Sequence, residues 1–218
     1  MLNLQAHAAM LMLATAAAMA GAATTNGLAN GGFETPGGGV AAGWLTAPTG
    51  NPVQLTDDAH SGSHAALLTV PNGSGASVLF QDSVAHGGLP ALTAANVGDL
   101  PTLTFWAKGD ASPTGDLYLT LRYMGAPQPV TAVAQHFTVG ANWAQYSFQA
   151  AAAVPVGATS LFFELTNSVG PLLNGRTNAV VVDDIQFALT TAAVPEPETY
   201  ALLIAGLAVV GAIARRRA

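Results

Sequence analysis

The chain has 218 residues, of which only 8% are charged, with 6 Lys or Arg against 12 Asp or Glu and a formal net charge of -6. An acidic chain with so few basic side chains argues against nucleic acids and anionic membrane surfaces as partners. Cysteine is absent, so an exported form would rely on its hydrophobic core, or on a bound metal ion, rather than on disulfides.

The first hydrophobic segment is typical of a secretory signal peptide. Residues 8–20 are apolar or small, and Ala20-Gly21-Ala22 fits a small-x-small cleavage site. The seven residues before this segment contain no Lys or Arg, which departs from the usual pattern and leaves the true start open. We predict a signal peptide over residues 1–23, with cleavage after Ala20, Ala22 or Ala23.

Residues 24–190 are predicted to form one all-β domain. No window shows an amphipathic helical period, whereas short alternating runs recur between Gly, Pro, Asn and Asp residues. In residues 116–123 three leucines and Tyr123 share one face, opposite Tyr118, Thr120 and Arg122. Residues 82–101 are long for a loop and leave room for one more strand. The predicted strands are 53–55, 64–70, 77–81, 103–108, 116–123, 134–138, 145–148, 160–165 and 180–187.

Six short landmarks follow one another along this domain. They are Asn30-Gly31-Gly32-Phe33-Glu34, Trp44, residues 61–67 (SGSHAAL), residues 103–109 (LTFWAKG), residues 143–148 (WAQYSF) and residues 182–185 (VDDI). This series resembles the galactose-binding-like jelly rolls, especially carbohydrate-binding modules of the four/nine/twenty-two type. The resemblance implies an antiparallel two-sheet jelly-roll β-sandwich whose first and last strands lie side by side.

The same resemblance implies a structural calcium site where the two ends of the domain meet. Carried over onto this chain, the ligands are the carboxylates of Glu34 and Asp184, with Asp183 beside them, and backbone carbonyls of Gly32 and of Ser61 or His64. Calcium takes about six to eight hard oxygen ligands, which this donor set can provide. The alternative is that these residues are solvated acids at the ends of strands.

Glycan binding requires aromatic faces with amide, guanidinium or carboxylate groups beside them. The candidates are Trp44, Tyr118, Arg122, Tyr123 and Gln128. Tyr118 and Arg122 form the best pair, because they share the strand face opposite the leucines. Trp106 and Trp143 lie within apolar strand patterns and are expected in the core.

Catalytic and zinc-binding patterns are weak throughout the sequence. His60 and His64 are four residues apart, but they lie in a Gly-Ser turn rather than on one helix face. A glycosidase uses two carboxyl groups that lie close together, and Glu34 and Glu164 could be imagined as such a pair. Nothing in the sequence places these two residues near each other. We therefore expect no catalytic residues in this domain.

The C-terminal residues combine three parts in a fixed order. An acidic hinge contains Pro195-Glu196-Pro197, residues 199–214 are uncharged and predominantly apolar, and Arg215, Arg216 and Arg217 form a basic cluster. Prolines keep the hinge out of the helix, and a helix satisfies its own backbone in lipid. Because arginines resist translocation, we predict a transmembrane helix over residues 199–214 with its basic end in the cytoplasm.

These three parts resemble the sorting signal of bacterial PEP-CTERM proteins. The resemblance implies recognition by an exosortase-type membrane protease, cleavage near Pro-Glu-Pro and release to the cell surface or the extracellular matrix. An ordinary single-helix anchor is the alternative, but the apolar stretch is shorter than the roughly 20 residues of a stable span. We therefore predict a sorting tail over residues 191–218 that contacts the inner membrane only transiently.

Together these features predict an exported, non-enzymatic jelly-roll protein of the bacterial surface or matrix. Its expected role is structural or adhesive, with calcium-dependent contact with extracellular polysaccharide. Two alternatives remain open at this point. One is an extracellular hydrolase that acts on polysaccharide, and the other is a purely structural matrix or ice-contact protein.

Overall fold

The computed structural model describes residues 24–37, 40–71, 75–83, 88–109, 115–125, 127–168 and 177–190, together with 204–207 and 215. Its contacts divide the chain into two units. One unit is Thr24–Thr191, and the other consists of Met1–Ala23 and Ala192–Ala218.

The Thr24–Thr191 unit is built from short β-strands, and its described residues contain eleven of them. In chain order these are β1 Thr24–Asn26, β2 Leu45–Thr46, β3 Val53–Thr56, β4 Ala65–Val70, β5 Ala76–Asp82, β6 Leu100–Gly109, β7 Gly115–Met124, β8 Val130–Val139, β9 Ala144–Gln149, β10 Ser160–Ser168 and β11 Asn178–Thr190. A 3-10 helix, Ala94–Asn96, lies between β5 and β6.

The strands form two sheets. The six-stranded sheet has the order β3-β4-β11-β6-β9, with β1 also paired to β11, and the five-stranded sheet has the order β2-β5-β10-β7-β8. All pairs between these named strands are antiparallel. The predicted all-β, two-sheet jelly-roll architecture is confirmed. The first and last strands are neighbours as expected, with Thr24 opposite Thr190.

Each of the nine predicted strands is present, extended at one or both ends in most cases. β1 and β2 were not predicted, because strands of three and two residues are too short to show alternation. The described part of residues 82–101 holds the 3-10 helix and the ends of β5 and β6, but no separate strand.

Alternation within the strands produces one core between the sheets. Leu119 lies opposite Leu165, and Leu121 opposite Phe163, in the pairing of β7 with β10. Phe105 of β6 is equally buried and comes from the other sheet. Each such side chain stabilises the fold by roughly 1.5–3 kcal/mol relative to exposure. Side chains of the opposite parity therefore point outward from each sheet.

In the terminal unit, residues 204–207 and 215 are helical. The predicted signal peptide and the rest of the predicted 199–214 helix lie outside the described residues, as do Pro195, Glu196, Pro197, Arg216 and Arg217. Within the part of the chain that is described, no helix is long and apolar enough to cross a membrane.

Candidate functional site

The first candidate site begins with an irregularity in β11. The pairing of β11 with β6 shifts register between Asp183 and Gln186, and Asp184 has a positive φ of 49°. On the facing segment, Asn30 and Phe33 also have positive φ values, of 50° and 59°. Such backbone is costly for residues other than glycine and collects at functional sites.

Glycine is required where these two segments meet. The Gly31 carbonyl accepts a hydrogen bond of 2.9 Å from the Ile185 N–H, and a Cβ on Gly31 would lie 1.9 Å from the Ile185 carbonyl oxygen. The close approach brings the residues after Gly31 next to those before Ile185.

Three carboxyl side chains surround Gly32 as a result. A Cβ on Gly32 would lie 3.7 Å from Asp184 Oδ1, 3.9 Å from Asp183 Oδ1 and 4.0 Å from Glu34 Cγ. We call Glu34, Asp183 and Asp184 the carboxylate cluster. The structure thus brings together the acidic residues that the sequence resemblance had placed at one site.

The loop before β4 supplies hydrogen-bond donors to this cluster. The N–H groups of His60 and Ser61 donate to Asp183 Oδ2 at 2.8 and 3.1 Å, and the Ser61 hydroxyl donates to Asp184 Oδ1 at 2.7 Å. The resemblance implied a backbone carbonyl from this turn, whereas the contacts that the structure gives to Ser61 run through its N–H and hydroxyl.

Glu34 is held by the same loop. Its Oε1 accepts the N–H groups of Ser63 and His64 at 2.8 and 2.9 Å, and these bonds lower the pKa of the Glu34 carboxyl. A Cβ on Gly62 would lie 2.3 Å from Glu34 Oε1, so the loop needs glycine there. Asp183 differs, because its burial raises the pKa of its carboxyl despite the hydrogen bonds it accepts.

The chemistry of the carboxylate cluster fits a hard cation. Three carboxyl groups converge from two segments, and the described ion pairs give none of them a Lys or Arg partner. Oxygen donors of this kind are the ligands that calcium prefers. Among the described residues, however, no group of three or more His, Asp or Glu is arranged so that it could hold a metal ion. Oxygens of all three carboxyl groups instead accept hydrogen bonds from N–H or hydroxyl groups.

An aromatic stack fastens the loop against the six-stranded sheet. The His60 ring stacks on Trp106 with centroids 3.8 Å apart, its Nδ1 lies 2.7 Å from Asp184 Oδ2, and Trp143 meets it edge-on at 5.6 Å. Trp106 and Trp143 are only partly buried, so the expectation that they belong to the core is wrong.

Two of the expected ligand residues are instead in the core. Trp44 is 4% exposed, packs against Phe33 and Phe163 and donates its Nε1–H to the Asn30 carbonyl. Tyr123 is fully buried and donates its hydroxyl to the Ala152 carbonyl at 2.6 Å, and burial raises its pKa to about 12. Neither ring can stack on a ligand, which corrects that expectation.

The second candidate site is the outward face of the five-stranded sheet, which we call the five-strand face. Register places Glu164 opposite both Phe80 and Thr120, and Phe162 opposite Arg122. The face consists of Val78, Phe80, Tyr118, Thr120, Arg122, His136, Phe162, Glu164 and Thr166. The structure therefore keeps Tyr118 and Arg122 together, while Gln128 is exposed in the segment between β7 and β8.

Aromatic and polar groups alternate on this face. Tyr118, 40% exposed, stacks on His136 at 4.4 Å, and Phe80 lies 5.7 Å from Phe162. The Thr166 hydroxyl donates to Glu164 Oε1 at 2.9 Å. The sequence analysis did not include these two phenylalanines among the candidate residues, although an outward Phe beside Glu164 in an alternating strand was a usable signal.

A shallow depression of about 210 Å³ lies over β7 and β8 beside the Tyr118–His136 stack. His136 Nε2 lies 2.8 Å from Asp116 Oδ1, which fixes the ring. Ring faces flanked by a carboxylate and a guanidinium suit stacking on C–H surfaces together with hydrogen bonding to hydroxyl groups. Glu164 lies in the five-stranded sheet and Glu34 bonds the loop before β4, so these two acids do not form the glycosidase pair considered above.

Solved structures share this fold at low sequence identity. A cyclase from Fischerella sp. TAU is similar with a TM-score of 0.56 and 16% identity over 79% of this chain and 100% of that chain. The enzymatically active domain of bacteriophage CBA120 tailspike protein 4 is similar with a TM-score of 0.54 and 20% identity. The match covers 75% of this chain but only 21% of the tailspike chain. Both similarities concern the fold alone.

Carbohydrate-binding modules are among these structural relatives. The tandem of two family-22 modules from Paenibacillus barcinonensis Xyn10C is similar with a TM-score of 0.50 and 18% identity over 83% of this chain and 50% of that chain. The predicted resemblance to jelly-roll carbohydrate-binding modules is confirmed at the level of fold. No curated protein sequence gives a significant match.

The C-terminal tail matches a known sequence motif. Residues 193–218 match the family model of the PEP-CTERM protein-sorting motif, which confirms the predicted resemblance. The motif indicates an exported substrate of a membrane-associated sorting process.

Proposed function

We propose that the sandwich is a non-catalytic glycan-binding domain of a structural or adhesive surface protein, and that its ligand lies on the five-strand face. The observation that carries this proposal is the register of β5, β10 and β7. It sets the rings of Phe80, Phe162 and Tyr118 around Glu164 and Arg122 on one outward surface.

The test is affinity electrophoresis of the full chain, kept in detergent, through gels that contain xylan or β-1,4-galactan. Tyr118→Ala and Arg122→Ala should each be retarded less than the wild type, while Val156→Ala, at a residue 79% exposed and outside this face, should be retarded as strongly as the wild type. Unchanged retardation in both variants would contradict the proposed position of the ligand.

An enzymatic role is the alternative, because the fold is shared with one part, 21%, of a tailspike's enzymatically active domain. Incubation of the protein with the same polysaccharides separates the two functions. A binding domain leaves the number of reducing ends unchanged, whereas new reducing ends that disappear in a Glu164→Gln variant would establish hydrolysis.

Export and sorting complete the proposal. An exosortase-type protease would cleave near Pro195-Glu196-Pro197 after a transient stay in the inner membrane, and the sandwich would be released to the cell surface or matrix. The family-model match over residues 193–218 supports this route. The mass of the secreted protein tests it, since a product that retains Arg215 would exclude cleavage.

We further propose that the carboxylate cluster holds structural calcium. Glu34 and Asp184 would provide its main side-chain ligands, with Asp183 and Ser61 beside them and the Gly32 backbone in contact, and the cation would neutralise the converging negative charges. Thermal melting with calcium and with a chelator tests this, together with elemental analysis of the purified protein. An unchanged Tm and no bound metal would remove the site.

A further inference from the structure

The outward face of the six-stranded sheet carries a second surface suited to a sugar polymer. On this side, Thr104 lies opposite Ser147 and Gln186, and Thr102 lies opposite Gln149. We call this surface the six-strand face, and its residues are Thr102, Thr104, Gln145, Ser147, Gln149 and Gln186. All six side chains are exposed or half-buried.

None of the six residues of the six-strand face is charged. It spans β9, β6 and β11, and β9 lies at one edge of this sheet as described, with β3 at the other. Edge strands are normally protected by charged side chains or proline, and residues 144–149 contain neither. Amides and hydroxyls both donate and accept hydrogen bonds, which matches a neutral, hydroxyl-rich ligand rather than an ion.

Tryptophan lies at one end of this surface. The chain has three Trp residues, and the two outside the core, Trp106 and Trp143, both border the six-strand face. Trp106 lies opposite Gln145 and is covered by the His60 ring. Its role is therefore to pack against the loop before β4. Trp143 remains partly exposed, with Lys108 Nζ 5.2 Å from its ring centroid.

The charged side chains nearest to the six-strand face are either paired or covered. Lys108 is paired with Asp58, with Nζ and Oδ1 2.5 Å apart, and the buried Asp183 is covered by the loop before β4. A partly exposed indole directly before β9, whose outward residues are uncharged, is suited to stacking on a sugar ring while amides and hydroxyls of the face bond its hydroxyls.

We propose that the six-strand face is a second binding surface, for a neutral polysaccharide, and that the sandwich bridges two polysaccharide chains. The two sheets pack face to face on one core, so their outer faces point in opposite directions. The bridging part rests on the proposed glycan site of the five-strand face, whereas the second binding surface itself does not.

The experiment uses the full chain in detergent with xylan and β-1,4-galactan as neutral probes and alginate as an anionic one. Static light scattering measures cross-linking of the dissolved polysaccharide, and affinity electrophoresis measures binding. The variants are Trp143→Ala and Ser147→Lys on the six-strand face and Tyr118→Ala on the five-strand face. Val156→Lys is the matched control, since it adds the same charge as Ser147→Lys outside both faces.

The wild type should cross-link a neutral probe but not alginate. Trp143→Ala should abolish the cross-linking and reduce affinity at this face about tenfold, the loss of one aromatic contact. Ser147→Lys should also abolish the cross-linking, because it places a charge within the neutral surface, and in both variants binding through the five-strand face persists. Wild-type binding without cross-linking, together with full affinity in both six-strand variants, would overturn the second surface.

The outcomes separate the two proposals. If Tyr118→Ala binds normally and the six-strand variants do not bind, the proposed function of the five-strand face fails while the second surface stands. If Tyr118→Ala alone abolishes all binding, the second surface fails and the five-strand face stands. A dimer of the chain that forms without polysaccharide and is lost in Ser147→Lys would show that a second copy occupies this face instead, and would also overturn the proposal.

Discussion

The carboxylate cluster is assembled by irregular backbone, whereas the five-strand face is assembled mainly by regular strand pairing, with one register shift between Leu121 and Arg122. The cluster depends on positive φ at Asn30, Phe33 and Asp184 and on a loop whose N–H groups gather the acids. The face needs only the register of four antiparallel strands. We therefore expect substitutions at the cluster to change stability first, and substitutions on the face to change binding first.

The largest effect is expected from Gly31→Ala. Its Cβ would lie 1.9 Å from the backbone oxygen of Ile185, which cannot move without breaking the hydrogen bond that joins the two segments, so we expect a loss of about 4 kcal/mol. Urea denaturation measures it. Gly140→Ala, at a glycine with open space around it, is the control, and equal losses in both variants would show that the close approach is unimportant.

Asp183→Ala should have the next largest effect. The buried carboxylate accepts the N–H groups of His60, Ser61 and Asp184, and leaving such donors unpaired costs about 3 kcal/mol in total. Asp57→Ala removes the same charge from an exposed position and should stay within about 0.5 kcal/mol of the wild type. A loss for Asp183→Ala no larger than that of Asp57→Ala would contradict the role of the loop contacts.

The two acids should respond to pH in opposite directions. The pKa of Glu34 is below its ordinary value of 4.5, so its contribution to stability is complete above that pH and is lost on acidification. The pKa of Asp183 is above its ordinary value of 3.8, so protonation favours the folded state at low pH and that gain is lost as pH rises through the raised pKa.

Denaturation midpoints between pH 7 and pH 3 should reveal this difference. The stability difference between wild type and Glu34→Gln should shrink as pH falls, whereas the wild type should gain relative to Asp183→Asn over the same interval. Parallel pH profiles for the two variants would contradict the opposite pKa shifts of these two carboxyl groups.

The smallest effect on stability is expected on the five-strand face. Tyr118 is 40% exposed, and its main contact is the stack on His136, so Tyr118→Ala should change the free energy of unfolding by no more than about 0.5–1 kcal/mol. Its affinity for a retained polysaccharide should nevertheless fall about tenfold. A large loss of stability without a loss of binding would reverse the comparison between the two sites.

Strand alternation predicted much of this fold because each sheet has one solvent-exposed face and one buried face. The same rule already placed Tyr123 with the buried leucines, and proposing it as a ligand residue ignored that placement. Trp106 shows the converse error. Phe105 and Ala107 point inward, so alternation sets Trp106 on the outer face with Lys108, against the expectation of a core residue.

The site was predictable only in part, for a physical reason. Glu34 and Asp184 are far apart in sequence, so no local pattern joins them, and the resemblance to jelly-roll modules supplied the proximity that local rules do not. The His60 stack and the N–H donors of the loop depend on the loop's tertiary path, which leaves no periodic trace in the sequence. The prediction for Trp44 was wrong because, for a single aromatic residue outside a strand, no alternating pattern indicates whether its side chain is buried or exposed.

The place of β11 has a mechanical consequence. It is the longest strand in the described residues, with 13 residues, and it is hydrogen-bonded on both sides, to β6 along most of its length and to β4 and β1. Tension arriving from the chain beyond Thr190 enters the sandwich through this strand. A pull along its axis loads many hydrogen bonds in shear at once, so the Thr24–Thr191 unit is built to resist unfolding by a force applied at its C-terminal end.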